Sequence, residues 1–340
     1  MLRVNMPEAY KIQLLEVPVP EVGDDDLLIE MKRIGICRSD IQVYHGKHKY
    51  MAFPIVQGHE GSGIIVEAGK NVKGFVIGDK VTVQPQVFCG NCVPCKLGNY
   101  NVCENSKVYG VHTNGLAQDY FIVNSSKALK LPDNMEFDRG AFVESVAVGV
   151  HATKRSGEIN GKNLIVLGAG TIGNLTAQVA KASGANVMIT DINAKKLNIA
   201  KKCGIGICVN TMEEDLGGSI KKYYGKGGVD VIIDCAAVKA SINQALNNAR
   251  CSSKIVIVGK FKHAIEIEIP ELQRREVDII SAMMYVREDY EDAIELLSEG
   301  KLNTDLLISK YFNIREFEEA YKFIDDNVGD VMKVILKVGE

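Results

Sequence analysis

Past residue 140 the chain alternates two kinds of segment. Residues 164–167, 186–190, 229–233, 254–258 and 277–280 are apolar on both faces and rich in β-branched side chains, the pattern of strands covered on both sides of a parallel sheet. Between them, residues 172–183, 194–203 and 241–250 carry apolar positions at helical spacing. Strand and helix in alternation predict a doubly wound α/β domain. Before residue 140 short strand-like runs are broken by Gly, Pro and Asp, which predicts a β-rich domain of different architecture. Two amphipathic helices at 288–298 and 315–326 and a strand-like run at 333–338 close the chain.

A chain of 340 residues accommodates two domains of roughly 100 to 200 residues each. No stretch reaches the roughly 18 apolar residues of a membrane span, and the first residues lack the apolar core of a signal peptide. These features predict a cytoplasmic protein with no membrane partner. Lysine and arginine total 40 against 43 acids, without a basic block, so nucleic acid is excluded as a partner. Nine cysteines, four of them between positions 89 and 103, do not form a secreted disulfide framework. Metal binding is the better use of that cluster.

Gly168, Gly170 and Gly173 follow a predicted strand and open a helix. In that context Gly168 permits the tight turn, Gly170 lets a pyrophosphate approach the backbone, and Gly173 lets helix pack on sheet. Thr171 and Ile172 fill the turn between them. The next strand ends at Asp191, placed to accept hydrogen bonds from ribose hydroxyls and to repel a 2′-phosphate. NAD is therefore expected over NADP, with Lys195 and Lys196 close enough to loosen the choice.

Cys89, Cys92, Cys95 and Cys103 are separated by two, two and seven residues. Four thiolates in one loop suit a structural zinc with no open position; an iron–sulfur cluster is the chemical rival. A second set, Cys37, His59, Glu60 and Glu144, is too scattered for spacing to link. Singly, each reads as a buried thiol, a satisfied histidine or a solvated acid.

The motifs GICRSD, GHEGSG, GDKVTV, the four-cysteine loop, FVESVAVGVHA and GAGTIG, in that order, give a chain that resembles the zinc-containing medium-chain alcohol dehydrogenases, in particular their polyol, threonine and sugar-acid branch. The resemblance spans nearly the whole chain. It implies a GroES-like β-rich catalytic domain (1–140 and 285–340, with the structural-zinc loop 89–103) around a Rossmann NAD-binding domain (141–284), the active site lying in the cleft. It further implies two zinc ions per chain. Cys37, His59 and Glu144 look like ligands of the catalytic ion, with Glu60 a neighbour or exchanging ligand; glutamate at 144, where simple alcohol dehydrogenases carry cysteine, points to the polyol branch. Such an ion, one position open, lowers the pKa of an alcohol and polarises a ketone. Ser39 corresponds to the hydroxyl that takes the alcohol proton.

Departures from the pattern bear on substrate and proton path. Gln42 stands where many members carry a histidine and cannot titrate near neutral pH; His45 is the nearest replacement. Arg38 replaces a common glycine, and Met283 and Met284 fall where relatives often place arginine. His112, in YGVHTNG, resembles the sugar-acid enzymes. The leading expectation is oxidation of a secondary hydroxyl on a polyol or sugar acid to a ketone with NAD, by a homotetramer or homodimer. Alternatives are a primary-alcohol dehydrogenase forming aldehydes, an L-threonine or butanediol dehydrogenase, and a non-catalytic NAD- and zinc-binding regulator.

Overall fold

The computed structural model describes residues 1–48 and 53–339. The chain divides into two compact units: Met1–Glu144 with Val286–Ser298 and Ile308–Glu340, and Ser145–Tyr285 with Glu299–Leu307. The segment 299–307, expected with the catalytic domain, belongs to the second unit. Its backbone bonds there: Asn303 N–H donates to Gln178 Oε1 at 2.7 Å, and Leu302 and Leu307 are buried.

The second unit holds a six-stranded parallel sheet. Its strands run Asn163–Leu167, Asn186–Asp191, Ile207–Asn210, Val231–Asp234, Lys254–Ile257 and Asp278–Ser281. In space they lie third, second, first, fourth, fifth, sixth, so the order reverses between the first and the fourth. Leu164 and Val166 pack into one apolar cluster and Ile165 and Leu167 into another, because successive side chains leave opposite faces. That is why these runs are apolar throughout. Ile207–Asn210 escaped the sequence pattern as a four-residue edge strand with one buried position.

In the first unit the spine is Asp26–Ile36, a strand of 11 residues. It pairs antiparallel with Glu60–Ala68, with Tyr120–Asn124 and, near its end, with Lys333–Lys337. Ile29, Met31, Ile34, Ile65, Val81 and Leu336 fill the core beside it. Register does the positioning: Gly35 faces Glu60 and Ile36 faces Val334. Cys37, Glu60 and Lys333 thereby meet at one end of the sheet although 273 residues separate the last two. Glu144 lies on Phe137–Arg155, a helix buried on all sides from Gly140 to Ala147. Without a polar face it shows no amphipathic period, and the sequence pattern did not mark it.

Candidate zinc and dinucleotide sites

Cys37 sits at the corner where the spine strand turns into the helix Arg38–Tyr44, and Asp40 Oδ2 accepts from its backbone N–H at 2.9 Å. Gly35 makes room for the next donor: a Cβ there would stand 2.3 Å from Glu60 Oε2. One ligand atom from each of Cys37, His59 and Glu60 lies within 4.8 Å of the others. The set offers one sulfur, one nitrogen and one oxygen in a mostly buried corner, a donor mixture suited to zinc. The residues present fit the ion.

His59 is buried, with Nδ1 facing Asp40 Oδ1 at 3.3 Å. The two lack the alignment of a full hydrogen bond. This leaves Nε2 toward Ser39 Oγ at 3.5 Å. A carboxylate behind the ring is the usual device for orienting a metal-binding histidine. Burial, the largest effect, works against a charged ring, but Asp40 and then Cys37 overcome it and hold the His59 pKa well above its ordinary value. Below Asp40 runs a buried chain: Gln57 Nε2 donates to Asp40 O at 2.9 Å, and Tyr321 O–H to Gln57 Oε1 at 2.6 Å. Neither residue carries a motif that sequence reading could have used.

Glu60 contacts Lys333 Nζ, and both side chains are buried. Burial depresses the lysine pKa most strongly, yet Glu60, Cys37 and Glu144 together raise it. Lys333 escaped notice as the opening residue of an apolar run. Glu144 is buried, and its carboxylate stands outside the three-donor group; its charge still reaches Lys333. Removing the lysine leaves a buried carboxylate without its cation, at a cost of roughly 3–5 kcal/mol. Lys333→Met should show that loss in urea melts of zinc-stripped protein and a smaller one after zinc is restored. Equal melts for variant and parent would deny the pair any energetic weight.

His45 is not among the three grouped donors. Its Nε2 pairs with Asp325 Oδ2 at 2.8 Å and its ring stacks on Tyr10, so it is tied to the helix Phe317–Asp326. His112 Nδ1 accepts from Val108 N–H at 3.1 Å, and its ring meets His48 edge-on. Arg38 is exposed. Met283 is 54% exposed, which rules out simple core packing there.

The Sγ atoms of Cys89, Cys92, Cys95 and Cys103 form a second group within 4.8 Å. Cys103 is 3.9 Å from Cys92 and 3.5 Å from Cys89, against the roughly 3.8 Å between sulfurs that share a tetrahedral zinc at about 2.3 Å. A disulfide needs about 2.05 Å. Backbone N–H groups of Asn91 and Cys92 pull the Cys89 thiol down to about 6, while desolvation and its bond to Cys92 push Cys95 up to about 12. The loop therefore already favours a thiolate, and a zinc ion fits it.

In the second unit Gly168 has φ +95°, and Gly170 opens the 12-residue helix Thr171–Ala182. A Cβ on Gly170 would meet nothing within 4 Å, whereas one on Gly173 would lie 1.8 Å from Gly168 O. The first glycine gap is a cradle open to an anion at the positive helix end; the second is a close packing contact. Thr171 and Ile172 form the first helical turn. Asp191 sits beside it, Oδ2 accepting from Ala169 N–H at 2.7 Å and Oδ1 from Asn193 N–H at 2.9 Å. Asn193 Oδ1 in turn caps the next helix by accepting from Lys195 and Lys196 N–H, which places Lys196 in the first turn of that helix.

The Alcohol dehydrogenase GroES-like domain matches residues 23–133 and the Zinc-binding dehydrogenase domain residues 171–299. D-arabitol-phosphate dehydrogenase of Enterococcus avium is 32% identical over 97% of this chain and 95% of its own length. The chain belongs to the zinc-type alcohol dehydrogenase family. This zinc-type dehydrogenase is also 33% identical to L-idonate 5-dehydrogenase of Vitis vinifera, over 94% of the chain and 90% of that protein. A zinc-binding dehydrogenase of Sinorhizobium meliloti, solved with NADP, superposes with a TM-score of 0.91 at 30% identity, covering 99% and 98% of the two chains. The zinc-type dehydrogenase described here is thus an oxidoreductase of the CH–OH group that uses zinc and NAD. Among its described residues no helix is long and apolar enough to cross a membrane.

Proposed function

We propose that the chain oxidises a secondary hydroxyl of a polyol or sugar acid to the ketone, with NAD taking the hydride and one proton leaving to solvent. The observation that carries this reading is the mostly buried Cys37, His59 and Glu60 group in a chain that also bears the glycine turn and Asp191. Relatives over nearly the full length act on an arabitol phosphate and on idonate. Both are polyhydroxylated, and the idonate enzyme is named for a secondary carbon. Bound zinc supplies Lewis acidity that makes the alcohol proton easier to lose, and NAD supplies the hydride acceptor.

The chain's own residues supply the rest. Cys37 and His59 hold the ion, with Glu60 and Glu144 as the carboxylates available to it. Asp40 fixes the His59 ring, and Ser39 Oγ, beside Nε2, is the group that takes the alcohol proton. An onward step through His45 would run through a ring paired with Asp325. Cys89, Cys92, Cys95 and Cys103 hold a structural zinc. Gly168, Gly170, Thr171, Ile172 and Gly173 receive the pyrophosphate, Asp191 the adenosine ribose, with Lys196 nearby. All nine cysteines are free, which suits the reducing cytoplasm.

Purified protein should reduce NAD with one or more of sorbitol, arabitol, arabitol phosphate, idonate, galactonate, threonine and butanediol, at a higher kcat/KM than with ethanol or benzyl alcohol. Preference for the primary alcohols would favour the aldehyde-forming alternative. Silence toward the whole panel in protein that holds zinc and NADH would favour a regulator.

A further inference from the structure

The sheet of the second unit reverses its order between Asn163–Leu167 and Val231–Asp234, and a dinucleotide crosses an open α/β sheet at such a reversal. Asp191 lies on the adenosine side of that crossing. The turn after Asp234 lies on the other.

Asp234 is fully buried, and its carboxylate points back into its own turn. Oδ1 accepts from Ala236 and Ala237 N–H, each at 3.0 Å. Oδ2 and Val238 O both lie 2.9 Å from Ser241 Oγ and share its one O–H, and Ser241 Oγ accepts from Val238 N–H at 3.1 Å. What these bonds hold is costly. Ala237 has φ +50°, a left-handed conformation that residues other than glycine rarely adopt without support from their surroundings.

The turn is also wedged. A Cβ on Gly168 would be 3.1 Å from Ala236 N, and one on Gly259 would be 2.6 Å from Ala237 Cβ. The turn therefore packs directly on the glycine turn that receives the pyrophosphate, while Ala236 itself stays exposed. That exposed residue stands on the side where the far half of the cofactor must pass.

We propose that Asp234 is a positioning residue for the dinucleotide: its buried carboxylate holds the strained turn at 235–238 against Gly168, shaping the surface that receives the nicotinamide half. This rests on the reading that NAD binds at this sheet end. Asp234 acts through the turn and touches no reacting atom.

The test is fluorescence titration of NADH, with AMP as competitor, on the full chain. Asp234→Asn keeps an oxygen for the Ala236 and Ala237 N–H groups but replaces the charged acceptor at Ser241 with an amide that must donate to Ser241 Oγ, and it should raise the NADH dissociation constant about fivefold or more. AMP reaches only the Asp191 side, so its constant should stay within about twofold of the parent. Ala237→Gly in the same background removes the left-handed penalty and should recover NADH affinity about threefold. Should Asp234→Asn fail to fold, Ser241→Ala, which removes one donor, should weaken NADH but not AMP, by about threefold. Unchanged NADH binding, or NADH and AMP weakened alike without recovery by Ala237→Gly, would overturn the proposal. A parent protein that binds no NADH would instead sink the dinucleotide reading on which it stands.

Discussion

Cys37→Ala is expected to lower kcat by about three orders of magnitude or more while NADH still binds. The argument is one of charge. An ion that stabilises developing negative charge on the substrate oxygen contributes several kcal/mol to the barrier, and about 4 kcal/mol corresponds to three decades of rate. Without the thiolate the corner keeps a histidine already drawn toward Asp40 and a carboxylate already paired with Lys333, a poor cage for a divalent cation. Elemental analysis should fall from two zinc ions per chain to one, because the four-cysteine loop is a separate group. Glu144→Ala should lower turnover in the same direction but keep more of the second ion, as its carboxylate stands outside the three-donor group. A Cys37→Ala protein with parental turnover would remove this corner from the chemistry.

Gly173→Ala should cost the second unit both stability and cofactor. The new Cβ would stand 1.8 Å from Gly168 O, a backbone atom that no rotamer change can move. Either the helix Thr171–Ala182 lifts from the sheet or the glycine turn shifts, and overpacking of this kind costs about 1–3 kcal/mol, occasionally more. For a unit of this size that is a fall of roughly 2–12 °C in Tm. The same displacement moves the N–H groups that face the pyrophosphate, so the NADH dissociation constant should rise about tenfold or more. Gly170→Ala is the control: its Cβ meets nothing within 4 Å, so Tm should hold and any loss should appear in NADH binding alone. A Gly173→Ala protein with parental Tm and parental NADH affinity would refute the packing argument.

Much of the second unit was legible because its signals are local. A strand covered on both faces must be apolar at every position, and residues 164–167 and 254–258 announce it. The edge strand Ile207–Asn210 does not, having one covered position. The helix carrying Glu144 was silent for the opposite reason, since burial on all sides erases the alternation by which helices are recognised. Segment 299–307 went to the unexpected unit because its attachment is a backbone hydrogen bond to Gln178, which no hydropathy pattern records.

By itself the amino-acid sequence determined the βαβ alternation, the glycine turn with its acid and the four-cysteine loop, each of which is written within a few dozen residues. Tertiary contacts alone bring Cys37, His59 and Glu60 to one corner, set Lys333 among their charges, pair His45 with Asp325 and bond Asp234 to the turn beside Gly168. The reason is register: antiparallel pairing of strands far apart in the chain sets which side chains meet, and burial then sets what charge each can carry.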